Sequence, residues 1–283
     1  GPATLGATTR NLVQPITIPP SVRANDRMKA VGADVVRVSG MMVAFGTGRN
    51  VSETDATNNN VQTLYSVLDN TRYKARSGYP KLLEVHPGGG TCPNGSDCIP
   101  APAALGTGIA AAKLAEQKIT GVGTDFGTVD AVTALDQSTW DNYNGWYMDL
   151  PGTGERQLKP LEFYDGSNIL TVYSQVPAKG TNENADANVE TCNVTSVTNE
   201  VQFRTFINIM DGKRPSVQIV DMNGDGAFNA TDAGVSRRKV MRGSHNLINK
   251  SRTTTEDVDK DGNKETLARM PEQALRPSWR QLK

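Results

Sequence analysis

Several features that would mark a membrane protein or a nucleic-acid-binding protein are missing from this sequence. No apolar run approaches the roughly 20 residues that a membrane-spanning helix needs, so membrane insertion is not expected. Thirty basic and thirty acidic residues cancel, which leaves no net field to attract nucleic acid or an anionic membrane. The sequence has no signal peptide at its start, and residues 1–2, Gly-Pro, resemble the remnant of a cleaved tag. The missing signal therefore does not decide whether the protein is exported.

Catalytic motifs are missing as well. The two histidines, His86 and His245, do not belong to an H-E-x-x-H zinc motif. There is no G-x-S-x-G nucleophile elbow and no phosphate-binding P-loop. Residues 106–111 resemble a dinucleotide-binding turn, but Pro100 and Pro102 occupy the place of the strand that must precede it. We therefore expect a protein that is not an enzyme.

Cysteine is scarce, with three in the chain. Cys92 and Cys98 enclose a turn-forming sequence, Pro-Asn-Gly-Ser-Asp, and are either a small surface disulfide or two reduced thiols. A disulfide would fit an oxidising compartment. Cys192 is left over, and it is either free or paired with a part of the protein outside this sequence.

The residues that are abundant favour short strands joined by polar loops. The chain has 27 Gly and 15 Pro with a mean hydropathy of -0.46, a composition that fits a loop-rich all-β protein. Segments of apolar and β-branched residues bounded by turn residues are predicted as strands. They are 34–45, which is one strand or a bent pair, 61–69, 146–150, 157–163, 168–176 and 200–209. Their spacing suggests a propeller, barrel or sandwich.

Residues 76–130 interrupt this rhythm. They contain a Pro-Gly-Gly-Gly loop, the two closely spaced cysteines, and the best helix candidate by propensity, Gly108 to Gln117. We therefore predict one domain over residues 3–283 with a surface insertion, including a short helix, at 76–130.

The segment 221–232, with the sequence DMNGDGAFNATD, has the spacing of a calcium-binding loop. Oxygen ligands would come from alternate positions, and the glycine at position 6 allows the sharp turn. The predicted ligands are Asp221, Asn223, Asp225, the backbone carbonyl of Ala227, Asn229 and Asp232. Asp232 replaces the usual glutamate with a shorter side chain, so we expect a weak affinity, about 10⁻⁴ to 10⁻³ M. The alternative is an Asx-rich turn between two strands.

A second acidic pattern follows at 257–265, with the sequence DVDKDGNKE. Position 12 of a full loop would be Ala268, so only a nine-residue version remains. Its candidate metal ligands are Asp257, Asp259, Asp261 and Glu265. Metal binding and a charged turn are equally compatible with this pattern.

The basic run 237–242 lacks interleaved aromatics and indicates a solvated face.

Three stretches together resemble the C-terminal domain of the PilC/PilY family, the type IV pilus tip-associated adhesins and assembly factors. They are Val43 to Arg49, Gln62 to Asn70 and, with the greatest specificity, Gly145 to Arg156, which reads GWYMDLPGTGER. The similarity extends to the closing residues 277–282 and covers most of the chain.

This resemblance implies a modified β-propeller, secreted and located at the pilus tip on the bacterial surface. It would promote pilus assembly or oppose retraction in a calcium-dependent way, with minor pilins and a host or abiotic surface as partners. The family's calcium loop corresponds to Asp221, Asn223, Asp225 and Asn229, and Asn229 stands where the family tends to have a carboxylate. The family's N-terminal adhesive region has no counterpart in this sequence.

A second function is compatible with the same loop. Its pattern also fits a dockerin, which would make the chain a carbohydrate-binding or dockerin-like accessory domain of an extracellular protein. Dockerins repeat the loop closely, with a helix after each copy, whereas Asp257 lies 36 residues after Asp221 and begins an incomplete repeat. The preferred expectation is therefore a calcium-binding structural and interaction module.

Overall fold

The computed structural model describes residues 2–5, 8–11, 14–31, 33–37, 40–71, 73–88, 108–136, 138–177 and 200–271, which are nearly all-β. The strands are β1 (Pro2–Leu5), β2 (Thr8–Asn11), β3 (Ser21–Ala24), β4 (Met28–Val31), β5 (Asp34–Arg37), β6 (Met41–Gly46), β7 (Thr63–Asp69), β8 (Tyr73–Arg76), β9 (Tyr79–Val85), β10 (Ala115–Val122), β11 (Phe126–Asp130), β12 (Gly145–Asp149), β13 (Arg156–Gln157), β14 (Glu162–Phe163), β15 (Ile169–Val176), β16 (Val201–Asn208), β17 (Arg237–Val240), β18 (His245–Asn249), β19 (Thr254–Asp259) and β20 (Lys264–Ala268). The helices are α1 (Glu53–Ala56) and α2 (Gly108–Ala112), with 3₁₀ turns at Trp140–Asn142, Tyr164–Gly166 and Ala230–Asp232.

Eleven strands form one long sheet in the order β13-β15-β16-β17-β11-β10-β12-β7-β6-β3, with β14 also paired to β15. β10 joins the two halves of this sheet, because its first residues pair in parallel with β12 and its later residues pair antiparallel with β11. The other pairings in each half are antiparallel. This arrangement is consistent with the propeller-like β fold expected from the sequence. β18, β19 and β20 form a separate three-stranded meander.

The two ends of the long sheet come together. The backbone N–H of Gln157 in β13 donates to the Thr47 carbonyl, just after β6, at 3.0 Å. At the other edge, the Ser21 hydroxyl of β3 donates to the Leu161 carbonyl at 2.6 Å. A Cβ on Gly46 would lie 2.5 Å from the Gln157 side chain, so only glycine allows this approach. These contacts bring the two ends of the long sheet together, so the sheet is curled rather than flat.

Two clusters of buried side chains fill the structure. The first packs against Trp146, which is fully buried and donates its indole N–H to the Ile209 carbonyl at 2.9 Å. The second joins the long sheet to the meander and consists of Tyr164, Ile169, Phe206, Ile219, Val220, Val235 and Leu267. The meander is therefore held to the long sheet by its own hydrophobic contact.

Glu155 ties three parts of the long sheet together. Its side chain is fully buried. One carboxylate oxygen accepts from the Arg237 guanidinium of β17 at 2.8 Å and from the Ser174 hydroxyl of β15, and the other accepts from the Gly152 N–H at 2.8 Å. A buried carboxylate needs such partners, because a charge without them would be strongly destabilising.

Arg156, the next residue, holds the loop that follows β6. Its guanidinium, also buried, donates to the carbonyls of Gly154 at 2.9 Å, Arg49 at 2.7 Å, Asp55 at 2.6 Å and Asn58 at 2.7 Å. The planar fork of arginine provides several fixed donors for such a set of acceptors. We refer to Glu155 and Arg156 with these partners as the Glu155–Arg156 clamp.

The predicted strands are confirmed for the most part. Segment 34–45 is two strands in separate sheets, because β5 pairs with β4 and β6 belongs to the long sheet. The predicted insertion at 76–130 is too long, because 115–130 are β10 and β11 of the long sheet, and the helix ends at Ala112 rather than Gln117. Alternate residues of β10 are buried, but small and polar residues with good helix propensity concealed that alternation. The predicted strand 157–163 is divided into β13 and β14, since Pro160 has no N–H for a ladder hydrogen bond.

Glu155→Gln is expected to lower the free energy of unfolding by about 3–5 kcal/mol, because it leaves the buried Arg237 without its carboxylate. Urea unfolding followed by tryptophan fluorescence measures the loss. Arg242→Gln is the matched control, because it breaks an Arg–Glu pair whose arginine side chain is 61% exposed and should cost about 1 kcal/mol or less. Equal losses in the two variants would contradict the structural role of the buried pair.

Asp55, in the loop held by Arg156, makes a contribution to the stability of the fold that depends on pH. The hydrogen bond from Arg49 and then the Val51 N–H hold the pKa of the Asp55 carboxyl well below its usual range, against burial, which raises it. Because folding lowers this pKa, the carboxylate stabilises the fold above the unfolded-state pKa of about 3.9, and this contribution is lost as the pH falls further.

Asp55→Asn is therefore expected to be less stable than the wild type at about pH 7, with a difference that narrows between about pH 4 and pH 2. Urea midpoints measured across this range check the expectation. Asp125→Asn, at an exposed carboxylate paired with Lys239 at 3.6 Å, is the control. A difference for Asp55→Asn that stays constant with pH would show that the charge of Asp55 does not contribute.

Candidate functional site

The predicted calcium loop begins and ends in the second hydrophobic cluster. Val220, directly before the loop, is fully buried and forms an isolated bridge with Leu267 of β20. Val235, after the loop, is buried in the same cluster. Residues 223–227 at the tip are exposed. The loop is thus anchored at both ends and presents its oxygen-rich tip to solvent.

The tip is shaped by hydrogen bonds from its own side chains. The two carboxylate oxygens of Asp221 accept from the N–H groups of Gly224 at 2.7 Å and Gly226 at 2.8 Å. Asn223 Oδ1 accepts from the Asp225 N–H at 3.0 Å. Gly226 has a φ of +78°, the left-handed conformation that the sharp turn at position 6 requires. The turn predicted from the sequence is confirmed at this position.

Asp232 closes the loop. Although it lies beside an exposed tip, it is fully buried, and its two oxygens accept from the N–H groups of Met222 and Asn229, each at 2.9 Å. Asn229 in turn accepts from the Thr231 N–H at 2.8 Å and caps the 3₁₀ turn. Asp232 therefore links the two ends of the loop through backbone groups, a role that the ligand spacing alone does not reveal.

The donor set has the chemistry of a calcium site. All six predicted ligands supply oxygen, which hard cations such as Ca²⁺ prefer. Among the described residues, no group of three or more His, Cys, Asp or Glu side chains lies close enough to hold a metal ion. The structure therefore does not bring the three loop carboxylates together as one metal-binding group. A cation at the tip would also need the amide and backbone oxygens of Asn223, Ala227 and Asn229.

Asp257 and Glu265, from the second acidic pattern, face each other across β19 and β20. Both contact the guanidinium of Arg204 in β16, which is fully buried, and Glu265 lies 2.9 Å from it. Glu265 also pairs with Arg238 of β17 at 2.8 Å. These two carboxylates therefore hold the meander against the long sheet by ionic contacts.

Asp259 and Asp261, the other two candidates of that pattern, lie in the turn of the same hairpin. Asp259 Oδ1 accepts from the N–H groups of Asp261 at 2.8 Å and Asn263 at 2.9 Å. Asp261 is exposed and pairs with its neighbour Lys260 at 2.9 Å. The structure brings Asp257 and Glu265 together around an arginine and places Asp259 and Asp261 in the charged turn.

His245 belongs to the ionic cluster around Arg204. Its Nδ1 lies 3.0 Å from each Asp257 oxygen and its Nε2 lies 2.7 Å from the Met241 carbonyl oxygen. Burial lowers the pKa of His245, but the hydrogen bonds to Asp257 and Met241 outweigh it, and the net shift is upward. Two acceptors facing the two ring nitrogens favour the imidazolium form.

Sequence reasoning missed the Arg204 cluster. The available signal was an arginine within the apolar alternation of 200–209, since a charge on a strand buried on that face requires partners. Other candidates cannot be placed, because Cys92, Cys98, Cys192 and the closing residues 277–282 lie outside the described residues.

Asp232→Ala is expected to lower the free energy of unfolding by about 1–2 kcal/mol in the presence of a chelator, because two backbone N–H groups lose their acceptor. Asp225→Ala, whose side chain is exposed, should cost about 0.5 kcal/mol or less in the same buffer. Urea unfolding in EDTA compares the two variants. Wild-type stability for Asp232→Ala would mean that the loop ends are held without this carboxylate.

The fold and the loop together define a class of protein, a propeller-like all-β module with an exposed, oxygen-rich loop anchored in its core. A scan with protein-family models and a search of curated protein sequences gave no match. Among solved structures, the chain is similar to the crystal structure of the Pseudomonas aeruginosa PilY1 C-terminal domain, with a TM-score of 0.52 and 16% sequence identity. The alignment covers 92% of this chain and 45% of that structure. This similarity shows a shared fold.

Among the described helices, none has the length and apolar character needed to cross a membrane.

Proposed function

We propose that this chain is a calcium-binding structural and interaction module of a type IV pilus tip protein at the bacterial surface. The observation that carries the proposal is the similarity of fold to the PilY1 C-terminal domain over 92% of the chain. The residues 145–156, whose sequence resembles the PilC/PilY family, support it independently. They contain the Glu155–Arg156 clamp, so the most family-like stretch is also one that closes the sheet.

In this proposal Ca²⁺ binds at the tip of the loop, with Asp221, Asn223, Asp225, Ala227, Asn229 and Asp232 as its oxygen ligands. The ion would neutralise carboxylates that otherwise repel one another. Because Val220 and Val235 anchor the loop in the second hydrophobic cluster, binding at the tip would also stabilise the contact between the meander and the long sheet. Calcium would thereby set the shape of the surface that a partner contacts.

The proposed partners are minor pilins and a host or abiotic surface, and the proposed role is control of pilus assembly and retraction. No catalytic role is proposed. The dockerin-like alternative requires a helix directly after the loop. Here the loop ends in the three-residue turn Ala230–Asp232 and leads to the strand β17, which favours the pilus module.

Calcium titration by calorimetry, combined with thermal melting, is the direct test. The wild type should bind about one ion and gain roughly 2.7 kcal/mol at a calcium concentration of about 100 times the Kd. Asp221→Ala with Asp225→Ala should abolish both effects. Asp259→Ala with Asp261→Ala is the matched control and should retain them. If the wild type shows no binding heat and no shift in melting temperature, the calcium site is contradicted. If the wild type binds a second ion that the Asp259→Ala, Asp261→Ala control does not bind, the second acidic pattern is a metal site.

The pilus role has a separate test. Purified minor pilins should bind the wild type in calcium and bind the Asp221→Ala, Asp225→Ala variant more weakly, as measured by calorimetry. Equal binding by both proteins would separate the pilus role from calcium. If minor pilins bind neither the wild type nor the variant, the proposed partner is contradicted.

A further inference from the structure

The exposed tip of the proposed calcium loop contains an asparagine followed by a glycine, Asn223 and Gly224. An Asn-Gly pair is prone to deamidation, because the glycine nitrogen can attack the asparagine side chain without obstruction from a Cβ. No heavy atom lies within 4 Å of the position that a Cβ on Gly224 would occupy. Packing therefore does not prevent a cyclic imide from forming at this peptide.

A carboxylate faces the attacking group. The backbone N–H of Gly224 donates to Asp221 Oδ1 at 2.7 Å. An amide nitrogen is a weak nucleophile until it loses its proton, and a carboxylate in hydrogen-bond contact can accept that proton as the nitrogen attacks. Asp221 is therefore positioned as a general base for Gly224.

The amide that is attacked has hydrogen-bond partners on both of its polar atoms. Asn223 Oδ1 accepts from the Asp225 N–H at 3.0 Å, and this donor would stabilise the negative charge that develops on the oxygen. Asn223 Nδ2, the leaving nitrogen, donates to Asp225 Oδ2 at 3.0 Å and to Thr231 Oγ1 at 3.1 Å. This nitrogen becomes basic once the tetrahedral intermediate forms, and the Thr231 hydroxyl can then relay a proton to it.

We infer that Asn223 is a self-modification site, at which groups of the loop itself promote deamidation. The Gly224 nitrogen forms a bond to Asn223 Cγ, and Asp221 accepts the proton of that nitrogen. The bond between Cγ and Nδ2 breaks, and Nδ2 takes up this proton and leaves as ammonia. Water then opens the cyclic imide, at Cγ to give aspartate or at the main-chain carbonyl to give isoaspartate. The loop gains one negative charge, and water is the only co-reactant.

The chain contains the same pair of residues in a setting that resists this reaction. Asn144 Nδ2 donates to the Ala112 carbonyl at 3.0 Å, and Gly145 is buried in β12. A Cβ on Gly145 would lie 2.1 Å from the Ser66 carbonyl oxygen, so the backbone is tightly packed here. Ring formation would require this packed peptide to turn. Asn144 is therefore an internal control for Asn223.

The two products would change the loop in opposite ways. Aspartate at position 223 places a third carboxylate beside Asp221 and Asp225, and a higher ligand charge strengthens calcium binding. Isoaspartate adds one carbon to the main chain and displaces the ligands that follow it. This consequence rests on the proposed calcium function, whereas the modification itself does not.

Peptide mapping by mass spectrometry tests the inference on the folded wild type, kept in EDTA at neutral pH. Asn223 should deamidate at least about tenfold faster than Asn144, and faster in the folded protein than in urea, where the loop contacts are lost. Asp221→Asn should slow the reaction at Asn223 at least about tenfold, because it removes the general base. Asp125→Asn, at an exposed carboxylate outside the loop, should leave the rate within about twofold. Thermal melting confirms that both variants are folded.

Three results would overturn the inference. They are a reaction at Asn223 that is no faster in the folded protein than in urea, equal rates at Asn223 and Asn144 in the folded protein, and a rate in Asp221→Asn that is unchanged or faster. Because these rates are measured without calcium, they do not depend on whether the loop binds the ion.

The consequence for calcium has its own readout. Asn223→Asp reproduces the aspartate product and should bind calcium about tenfold more tightly than the wild type in calorimetry. Equal affinity would overturn the consequence for calcium and leave the modification in place.

Discussion

The Glu155–Arg156 clamp places two opposite charges where water cannot solvate them, and the long sheet closes around them. Glu155 is satisfied by Arg237 and Ser174 from two strands, and Arg156 by carbonyls of the loop after β6. These partners are distant in sequence, so the bonds form only when the sheet has curled and its ends have met. Without the Glu155 carboxylate, Arg237 would be buried without its ionic partner, and without the Arg156 guanidinium, the loop carbonyls would lose their donor. The closed arrangement, which satisfies both sets of groups, is therefore strongly preferred.

A second buried ionic group repeats this logic at the meander. Arg204 of β16 forms ion pairs with Asp257 and Glu265 from β19 and β20, and Asp257 also contacts His245. Together with the hydrophobic cluster around Leu267, these contacts fix the meander to the long sheet. The proposed calcium loop begins after Val220 and ends before Val235, and both residues lie in the hydrophobic cluster between the meander and the long sheet. Both ends of the loop are therefore anchored where the two sheets pack together.

The proposed calcium loop and the hairpin of β8 and β9 differ in how they are supported. The loop tip is oxygen-rich and is anchored in the second hydrophobic cluster at both ends. Such support suits a site that must keep a fixed geometry for an ion. The hairpin, in contrast, has little contact with the other described elements of the protein.

The sequence by itself determined most of the strands and the sharp turn at Gly226, because period-two patterns and glycine conformations are local properties. It did not determine that 115–130 lie within the long sheet, since the alternation of β10 is carried by small and polar residues whose burial depends on distant strands. The same limit applies to Asp257 and Glu265, whose spacing fits a cation loop as well as a hairpin. Only the tertiary structure, by placing Arg204 between them, decided which charges they face, because ionic partners are selected by proximity in space rather than along the chain.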